Sequence, residues 1–299
     1  MTNARFPSGP SRVRRRAAGL LFLAGLVPYL AIGGALSGRV TPARAQDPAA
    51  ANPLPRILEK TKEYCQRLSS ASLDFICRER IDERQFSPPL QIFSNMATPS
   101  RRHVTSVSLE YDYQLIRKGE SVEEKRVLLR ENKQRRNEPD AVLKTQLYKH
   151  KYLVFGPVGL LGEYWQPKHA YAYLGEEDVD GEKAFLVEAS PWGSPEPNLL
   201  YGKVWVRKKD FAVVRIEWDQ RSLGNYDLVL QMAKAIGHQA EPRISIVGHY
   251  GVEKNGIRFL DRLTIHEDYD SGRGVFRASE TTVLYKEYRF FIVETEVRY

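Results

Sequence analysis

Apolar residues recur along this chain with two different periods, and the two periods predict different elements. Over 53–68 they follow helical spacing, with Asn52 placed to cap the helix and Pro53 suited to its first turn. From residue 73 onward apolar and polar positions mostly alternate, which is typical of strands with one buried face. The pattern therefore predicts a mainly β protein with a few helices.

The alternating segments predict about ten strands, most of them joined by short turns. They cover 73–84, 104–118, 121–132, 168–174, 183–189, 200–207, 211–219, 244–253, 257–269, 276–285 and 288–297. We expect a loop over 86–99, a short helix or irregular segment over 137–150, and a second helix over 226–236. Local antiparallel connections favour an α+β fold that is mainly β. It would be one strongly curved sheet or unclosed β-barrel with helices on its concave side.

The clearest hairpin has Asn255-Gly256 as its turn, which is the strongest two-residue hairpin signal. Pairing Lys254 with Ile257 fixes the register and places His249 opposite Arg262. One set of alternate residues then faces the core: Ile244, Ile246, Tyr250, Val252, Ile257, Phe259, Leu263 and Ile265.

The start of the chain departs from this pattern. Arginines precede an apolar stretch, Ala17–Leu36, and a polar segment then ends in Ala43-Arg44-Ala45. This order is the secretory pattern and predicts a signal peptide that is cleaved after Ala45. An uncleaved anchor is the alternative, because the stretch is long enough to span a bilayer. Pro28 and several glycines weaken it as a stable helix.

The predicted organisation is a signal peptide at 1–45, a linker rich in alanine and proline at 46–55, and a single domain at 56–299. We expect the mature protein in the periplasm of a Gram-negative-type bacterium, with secretion as the second possibility. No integral membrane segment is expected in the mature chain.

Charge argues against a nucleic-acid partner once the signal peptide is removed. The whole chain carries a net charge of +8, but residues 1–45 hold seven arginines and no acidic residue. The remainder has 38 basic and 37 acidic residues, a net charge of +1. The basic footprint of a nucleic-acid-binding protein is therefore absent.

The chain has two cysteines, Cys65 and Cys77. In an oxidising compartment such a pair predicts a disulfide, here between the first helix and the first strand. Two thiols do not make a zinc site, and no histidine pair at ligand spacing accompanies them.

No catalytic motif is present in the sequence. The six histidines lie outside zinc spacings, and G-x-S-x-G, G-x-G-x-x-G after a strand and the P-loop are all missing. We therefore expect a protein that is not an enzyme and needs no cofactor. An unrecognised hydrolase is the least favoured alternative.

An apolar stretch over 152–165 follows neither period, because glycine and proline interrupt it. It is either a short core helix or an apolar flap over a cavity. Aromatic residues are dense over 165–218, where they either fill the core of a curved sheet or line a pocket. The candidate ligand-binding residues are Phe155, Leu160, Leu161, Trp165, Tyr173 and Trp205.

A family resemblance rests on residues 179–217. Residues 179–188 read VDGEKAFLVE, residues 201–206 read YGKVWV and residues 211–217 read FAVVRIE. This succession resembles the periplasmic outer-membrane lipoprotein carrier superfamily, including lipoprotein-sorting-like proteins and envelope-stress sigma-factor regulators. The resemblance implies an unclosed β-barrel with helices over its concave side, and binding of acyl chains or protein segments in its hollow without catalysis.

Two functions follow as hypotheses. The first is a non-enzymatic carrier that holds an apolar ligand, such as an acyl chain, lipid or lipoprotein, in a concave cavity. The second is an envelope sensor or scaffold with a filled interior that binds a protein partner. A connected apolar cavity would favour the first, and a filled interior with an exposed apolar patch would favour the second.

Overall fold

A long antiparallel sheet is the main feature of this protein in a computed structural model. The structure describes residues 52–72, 75–86, 103–118, 121–145, 153–193, 199–222, 226, 229–231, 241–270 and 275–291. The predicted signal peptide lies outside these ranges, and so does the predicted loop over 86–99 apart from Phe86, which is the last residue of the first strand. Of the helix predicted over 226–236, only positions 226 and 229–231 are described, and they are helical.

The elements with described bounds include two α-helices and thirteen strands. The helices are α1 (Leu54–Ala71) and α2 (Gly156–Leu161). The strands are β1 (Phe75–Phe86), β2 (Val104–Lys118), β3 (Ser121–Glu131), β4 (Gln134–Glu138), β5 (His169–Val179), β6 (Glu182–Pro191), β7 (Gly202–Arg207), β8 (Val213–Trp218), β9 (Glu241–His249), β10 (Val252–Lys254), β11 (Ile257–Phe259), β12 (Arg262–Asp270) and β13 (Val275–Phe290). Within the described ranges, no helix has the length and apolarity to cross a membrane.

Eleven strands form one sheet in the order β4-β3-β2-β1-β13-β12-β9-β8-β7-β6-β5. The sheet does not close, so β4 and β5 are its two edges among the described strands, and β10 with β11 forms a separate small ribbon. The expectation of a mainly antiparallel, unclosed sheet with few helices is confirmed. We call the face that carries the helices the concave face, and the opposite face the convex face.

Helix α1 forms because its apolar side chains recur on one stripe, as predicted. Ile57, Tyr64, Cys65 and Leu68 are all buried, and they join the same core as the concave side chains of the sheet. The helix covers α2 and the β10–β11 ribbon. Burial of this stripe fixes the helix on the concave face.

The Asn255-Gly256 hairpin has the predicted register. Both turn residues have positive φ, Lys254 pairs with Ile257, and His249 lies opposite Arg262. The two long strands that we predicted are each broken, which separates the β10–β11 ribbon from β9 and β12.

The prediction of two last strands, at 276–285 and 288–297, is wrong over the described residues. A single strand, β13, runs through the expected turn. It absorbs an irregularity in its pairing with β1, near Glu287, which has a φ of +54°. The segment predicted over 137–150 begins as strand, because β4 ends at Glu138. Its last five residues lie outside the described ranges.

The predicted disulfide is not formed, because Cys65 and Cys77 are both free thiols in separate surroundings. The Cys65 thiol donates to the Pro157 carbonyl oxygen of α2 at 3.2 Å. Cys77 lies in hydrogen-bond contact with the Tyr288 hydroxyl. Burial raises the pKa of both thiols, so both stay protonated.

A buried ion network lies on the concave face of β1 and β3. The Arg126 guanidinium donates to both Glu79 carboxylate oxygens, at 2.6 and 3.0 Å, and to Glu124 at 2.9 Å. Tyr285 donates to Glu79, and Tyr113 donates to Glu124. Burial lowers the pKa of Arg126, but the two carboxylates outweigh it and raise that pKa, so the guanidinium stays charged.

A second charge network joins the turns at one rim of the sheet. Arg207 donates to Asp210 at 2.8 Å, to Glu182 at 2.6 Å and to Glu253 at 3.0 Å. Arg258 also donates to Glu182. These residues come from β6, β7, the β7–β8 turn and the β10–β11 ribbon, so the network ties the ribbon to the main sheet.

Acid is expected to weaken this rim network. Burial raises the pKa of Glu182, but hydrogen bonds from Arg207 and Arg258 outweigh it and hold the pKa below its ordinary range. Arg207 lowers the pKa of Asp210 in the same way. Such carboxylates stabilise the fold above their unfolded pKa, and the stabilisation is lost as the pH falls through the folded pKa. Arg207→Met should therefore lower the thermal midpoint at pH 7, by an amount that shrinks at pH 3.

Lys208→Met is the matched control, because Lys208 is the next residue and forms an exposed pair with Glu176. It should change the midpoint little at either pH. A difference between wild type and Arg207→Met that stays constant from pH 7 to pH 3 would contradict the assignment.

Candidate functional site

Helix α2 packs into the core of the concave face beneath α1. Leu160 and Leu161 are both 0% exposed, and they join the core cluster that contains Val187, Val204 and Ile246 of the sheet. The Tyr171 hydroxyl of β5 also donates to the Leu160 carbonyl oxygen. The stretch over 152–165 is therefore a short core helix here, the first of the two interpretations.

The glycines of this stretch serve close packing. A Cβ added at Gly156 would lie 2.5 Å from the Tyr250 hydroxyl and 2.6 Å from the Trp218 ring. A Cβ at Gly162 would lie 2.5 Å from the Val158 carbonyl oxygen at the end of α2. Both glycines allow backbone to approach its neighbours closely, which a moving flap would not need.

The six candidate ligand-binding residues do not form one site. Leu160, Leu161 and the partly buried Phe155 belong to the core around α2, and Tyr173 packs edge-on against Phe185 at 6.3 Å on the same concave side.

Trp205 lies on the convex face instead, because it alternates with Val204 and Val206, which face the core. Its indole N–H donates to Glu177 at 2.7 Å. The sequence prediction grouped Trp205 with the other candidates because aromatic residues are frequent over 165–218. That frequency does not take into account that neighbouring residues of a strand face opposite sides of the sheet.

One of the two sheet edges is protected against pairing with another strand. Strand β4 has only five residues, all exposed, and it carries Arg135, Arg136 and Glu138. Short length and charge are the usual means by which an edge avoids a further strand.

The other edge, β5, is protected along only half of its length. Its second half has a bulge at Gly175, where φ is +130°, followed by Glu176, Glu177 and Asp178. Its first half, residues 169–174, reads HAYAYL and contains no lysine, arginine or acidic residue. We call residues 169–174 the open run.

Backbone groups of the open run are directed away from the sheet. Trp192 N–H donates to the Lys168 carbonyl oxygen. Backbone groups alternate in direction along an antiparallel strand, so the even-numbered residues of the open run direct their N–H and C=O groups toward β6. The N–H and C=O groups of Tyr171 and Tyr173 therefore point to the free side. Over the described part of the chain, no strand pairs with β5 on that side.

Exposed aromatic side chains lie where the open run begins. Tyr164 is 52% exposed and Trp192 is 68% exposed, and Trp165 packs edge-on against Tyr164 at 5.1 Å. The Lys168 ammonium lies 4.8 Å from the Tyr164 ring centre and 5.0 Å from that of Trp165. We call Tyr164, Trp165 and Trp192 the aromatic corner. Candidate Trp165 thus lies at the surface beside β5.

The described ranges contain no candidate metal centre. No group of three or more histidine, cysteine or acidic side chains there is arranged to hold a metal ion. A surface depression of about 450 Å³ lies at the ends of β8 and β9, lined by Glu217, Trp218, Asp219, Gln220, Arg221, Ile244 and Ser245. Asp219 and Arg221 pair with each other in it.

Comparisons with known proteins give structural likeness only. No family model and no curated protein sequence matches the chain. A DUF1329 family protein from Desulfovibrio piger is 12% identical with a TM-score of 0.39, over 80% of this chain and 95% of that one. A domain described as outer membrane lipoprotein-sorting, from Vibrio parahaemolyticus, is 11% identical with a TM-score of 0.36, over 80% and 95%.

A LolA superfamily protein from Nitrosomonas europaea is 12% identical with a TM-score of 0.34, over 80% of this chain and 94% of that one.

Proposed function

We propose that this chain is an exported, non-enzymatic envelope protein that binds an extended segment of a protein partner along the free edge of β5. The observation that carries the proposal is the open run, an uncharged edge whose backbone groups at Tyr171 and Tyr173 pair with none of the described strands. An edge of this kind is a hazard in a soluble protein unless it is covered or used. The resemblance over residues 179–217 implies protein segments among the ligands, held in the hollow of the sheet, so it supports the class of ligand and not the β5 edge.

The filled concave face favours this function over that of an apolar carrier. A carrier needs a cavity that can admit an acyl chain, generally of several hundred Å³. Here the side chains of α1 and α2 that face the sheet are buried among the concave residues of the core. At the place that α2 occupies among the described residues, an apolar chain would have to displace this helix.

Pairing along β5 would supply affinity through the main chain and selectivity through the side chains. An added strand accepts and donates hydrogen bonds at Tyr171 and Tyr173. Ala170 and Ala172 face outward and leave room for larger side chains opposite them, while the aromatic corner can receive an apolar side chain at one end. We therefore expect an uncharged, extended partner segment.

Photo-crosslinking in the native cells tests the proposal. A benzoylphenylalanine placed at Leu174, which is 46% exposed on β5, should give a discrete adduct with a partner protein. Ala172→Lys should reduce that adduct at least about tenfold, because a lysine on an edge strand opposes the addition of another strand. Ser190→Lys is the matched control, since Ser190 lies one strand further in on the same face.

Crosslinking from position 174 is compared with crosslinking from a position far from β5. The same crosslinker at Val142, which is 74% exposed and far from β5 in the sheet order, should not give this adduct. An adduct that persists in Ala172→Lys, or that forms equally from position 142, would contradict the proposal.

A further inference from the structure

A row of basic side chains crosses the convex face of the sheet. The register places Arg215 of β8 directly opposite His249 of β9, and His249 directly opposite Arg262 of β12. Trp205 of β7 continues the row on one side and Leu284 of β13 on the other. Residues directly opposite each other share a face, so Arg215, His249 and Arg262 lie side by side.

The neighbouring row shows how such charges are normally balanced. Two residues further along the strands, Lys203 lies opposite Glu217, which lies opposite Val247. In that row a positively charged side chain lies next to a negatively charged one. In the row of Arg215, His249 and Arg262 no carboxylate intervenes, although like charges opposite each other on a sheet destabilise it.

The contacts of Arg215 and of Arg262 leave the positive charge of this row largely uncompensated. The Arg215 guanidinium stacks over the Trp205 ring at 4.5 Å, and its contact with Glu217 is long, at 3.4 Å. The buried Nε of Arg215 has no hydrogen-bond partner. Arg262 is exposed and forms no ion pair with a carboxylate in the described part of the chain.

His249 adds a polar group between the two guanidinium groups. Burial lowers its pKa, and Arg262 and Arg215 lower it further, against smaller opposing effects of Asp261 and Asp180. The imidazole is therefore neutral at neutral pH and offers one N–H to a ligand.

We propose that Arg215, His249 and Arg262 form a binding site for an anion of the phosphate class, either a free phosphate or the phosphate of a lipid headgroup. Strands two apart in a sheet are separated by roughly 9.5 Å, so two arginine side chains can converge on one anion above the strand between them. Guanidinium groups bind phosphate through paired hydrogen bonds. Such an anion would remove the repulsion within the row. The site is separate from the β5 edge.

Two arms of one experiment separate the two sources. In the first, inorganic phosphate is titrated into the folded protein while the ring signals of His249 are followed by NMR. In the second, binding to phosphatidylglycerol vesicles is compared with binding to phosphatidylcholine vesicles. Arg262→Gln should weaken binding about tenfold, which corresponds to the loss of one charge-assisted contact.

Arg243→Gln is the matched control, because Arg243 is exposed on the same strand as His249 but is neutralised by Asp270 at 2.7 Å. Saturable binding in the first arm that Arg262→Gln weakens and Arg243→Gln preserves supports the site with a free anion as ligand. The same pattern for phosphatidylglycerol vesicles alone supports it with a lipid headgroup. No binding in either arm, or equal weakening by both variants, would overturn it.

Discussion

Replacing Leu160 and Leu161 together with aspartate should destabilise the protein by more than about 4 kcal/mol, or prevent folding. Both side chains are 0% exposed between the helices and the sheet. The change removes two buried apolar side chains and places two carboxyl groups within a cluster of apolar side chains. Thermal or urea unfolding of the double variant measures the loss.

The same double variant distinguishes a core helix over residues 156–161 from a lid over a cavity. If the stretch over 156–161 were a lid over a cavity, the double variant would unfold at nearly the wild-type midpoint. It would instead lose the binding of a fluorescent acyl-chain probe. We expect wild type to bind no such probe saturably. Val142→Asp is the control for adding an aspartate at an apolar position, since Val142 is 74% exposed and should tolerate it.

The second large effect is expected in the buried ion network. Arg126→Met leaves the carboxylate of Glu79, which is 0% exposed, without its cation, and should cost about 3 to 5 kcal/mol. Combining it with Glu79→Gln removes both charges of the pair. The double variant should therefore be destabilised by at least about 1 kcal/mol less than the sum of the single changes.

An exposed pair on the same strand calibrates this measurement. Arg80 pairs with Asp82 at 2.9 Å on the opposite face of β1, where both side chains are well exposed. Arg80→Met should cost less than about 1 kcal/mol. Additive effects of the two changes in the buried pair would show that Glu79 and Arg126 do not depend on each other.

Local sequence signals predicted what a single hairpin or helix determines. The Asn255-Gly256 turn sufficed to place His249 opposite Arg262, because a two-residue turn fixes every pair that follows it. The apolar stripe of α1 likewise identified its buried face. Neither signal depends on residues far away in the chain.

Long-range pairing explains what sequence reasoning missed. Glu79 occupies an inward position, in alternation with Cys77 and Ile81, and that was a readable signal for a buried charge. Its partner Arg126 lies two strands away in the sheet, and no local pattern names it. The uncharged run HAYAYL is equally visible in the sequence, but only the strand order shows that β5 is an edge.

The order of the strands also has a consequence for folding. Strand β13 is the last of the described strands in the chain, yet it lies in the interior of the sheet between β1 and β12. Until β13 is available, β1–β4 and β5–β12 cannot be joined into one sheet, and the free sides of β1 and β12 stay open. Contacts between distant parts of a chain form slowly. The joining of these two parts must therefore wait until β13 has been synthesised, although each part can pair its own strands earlier.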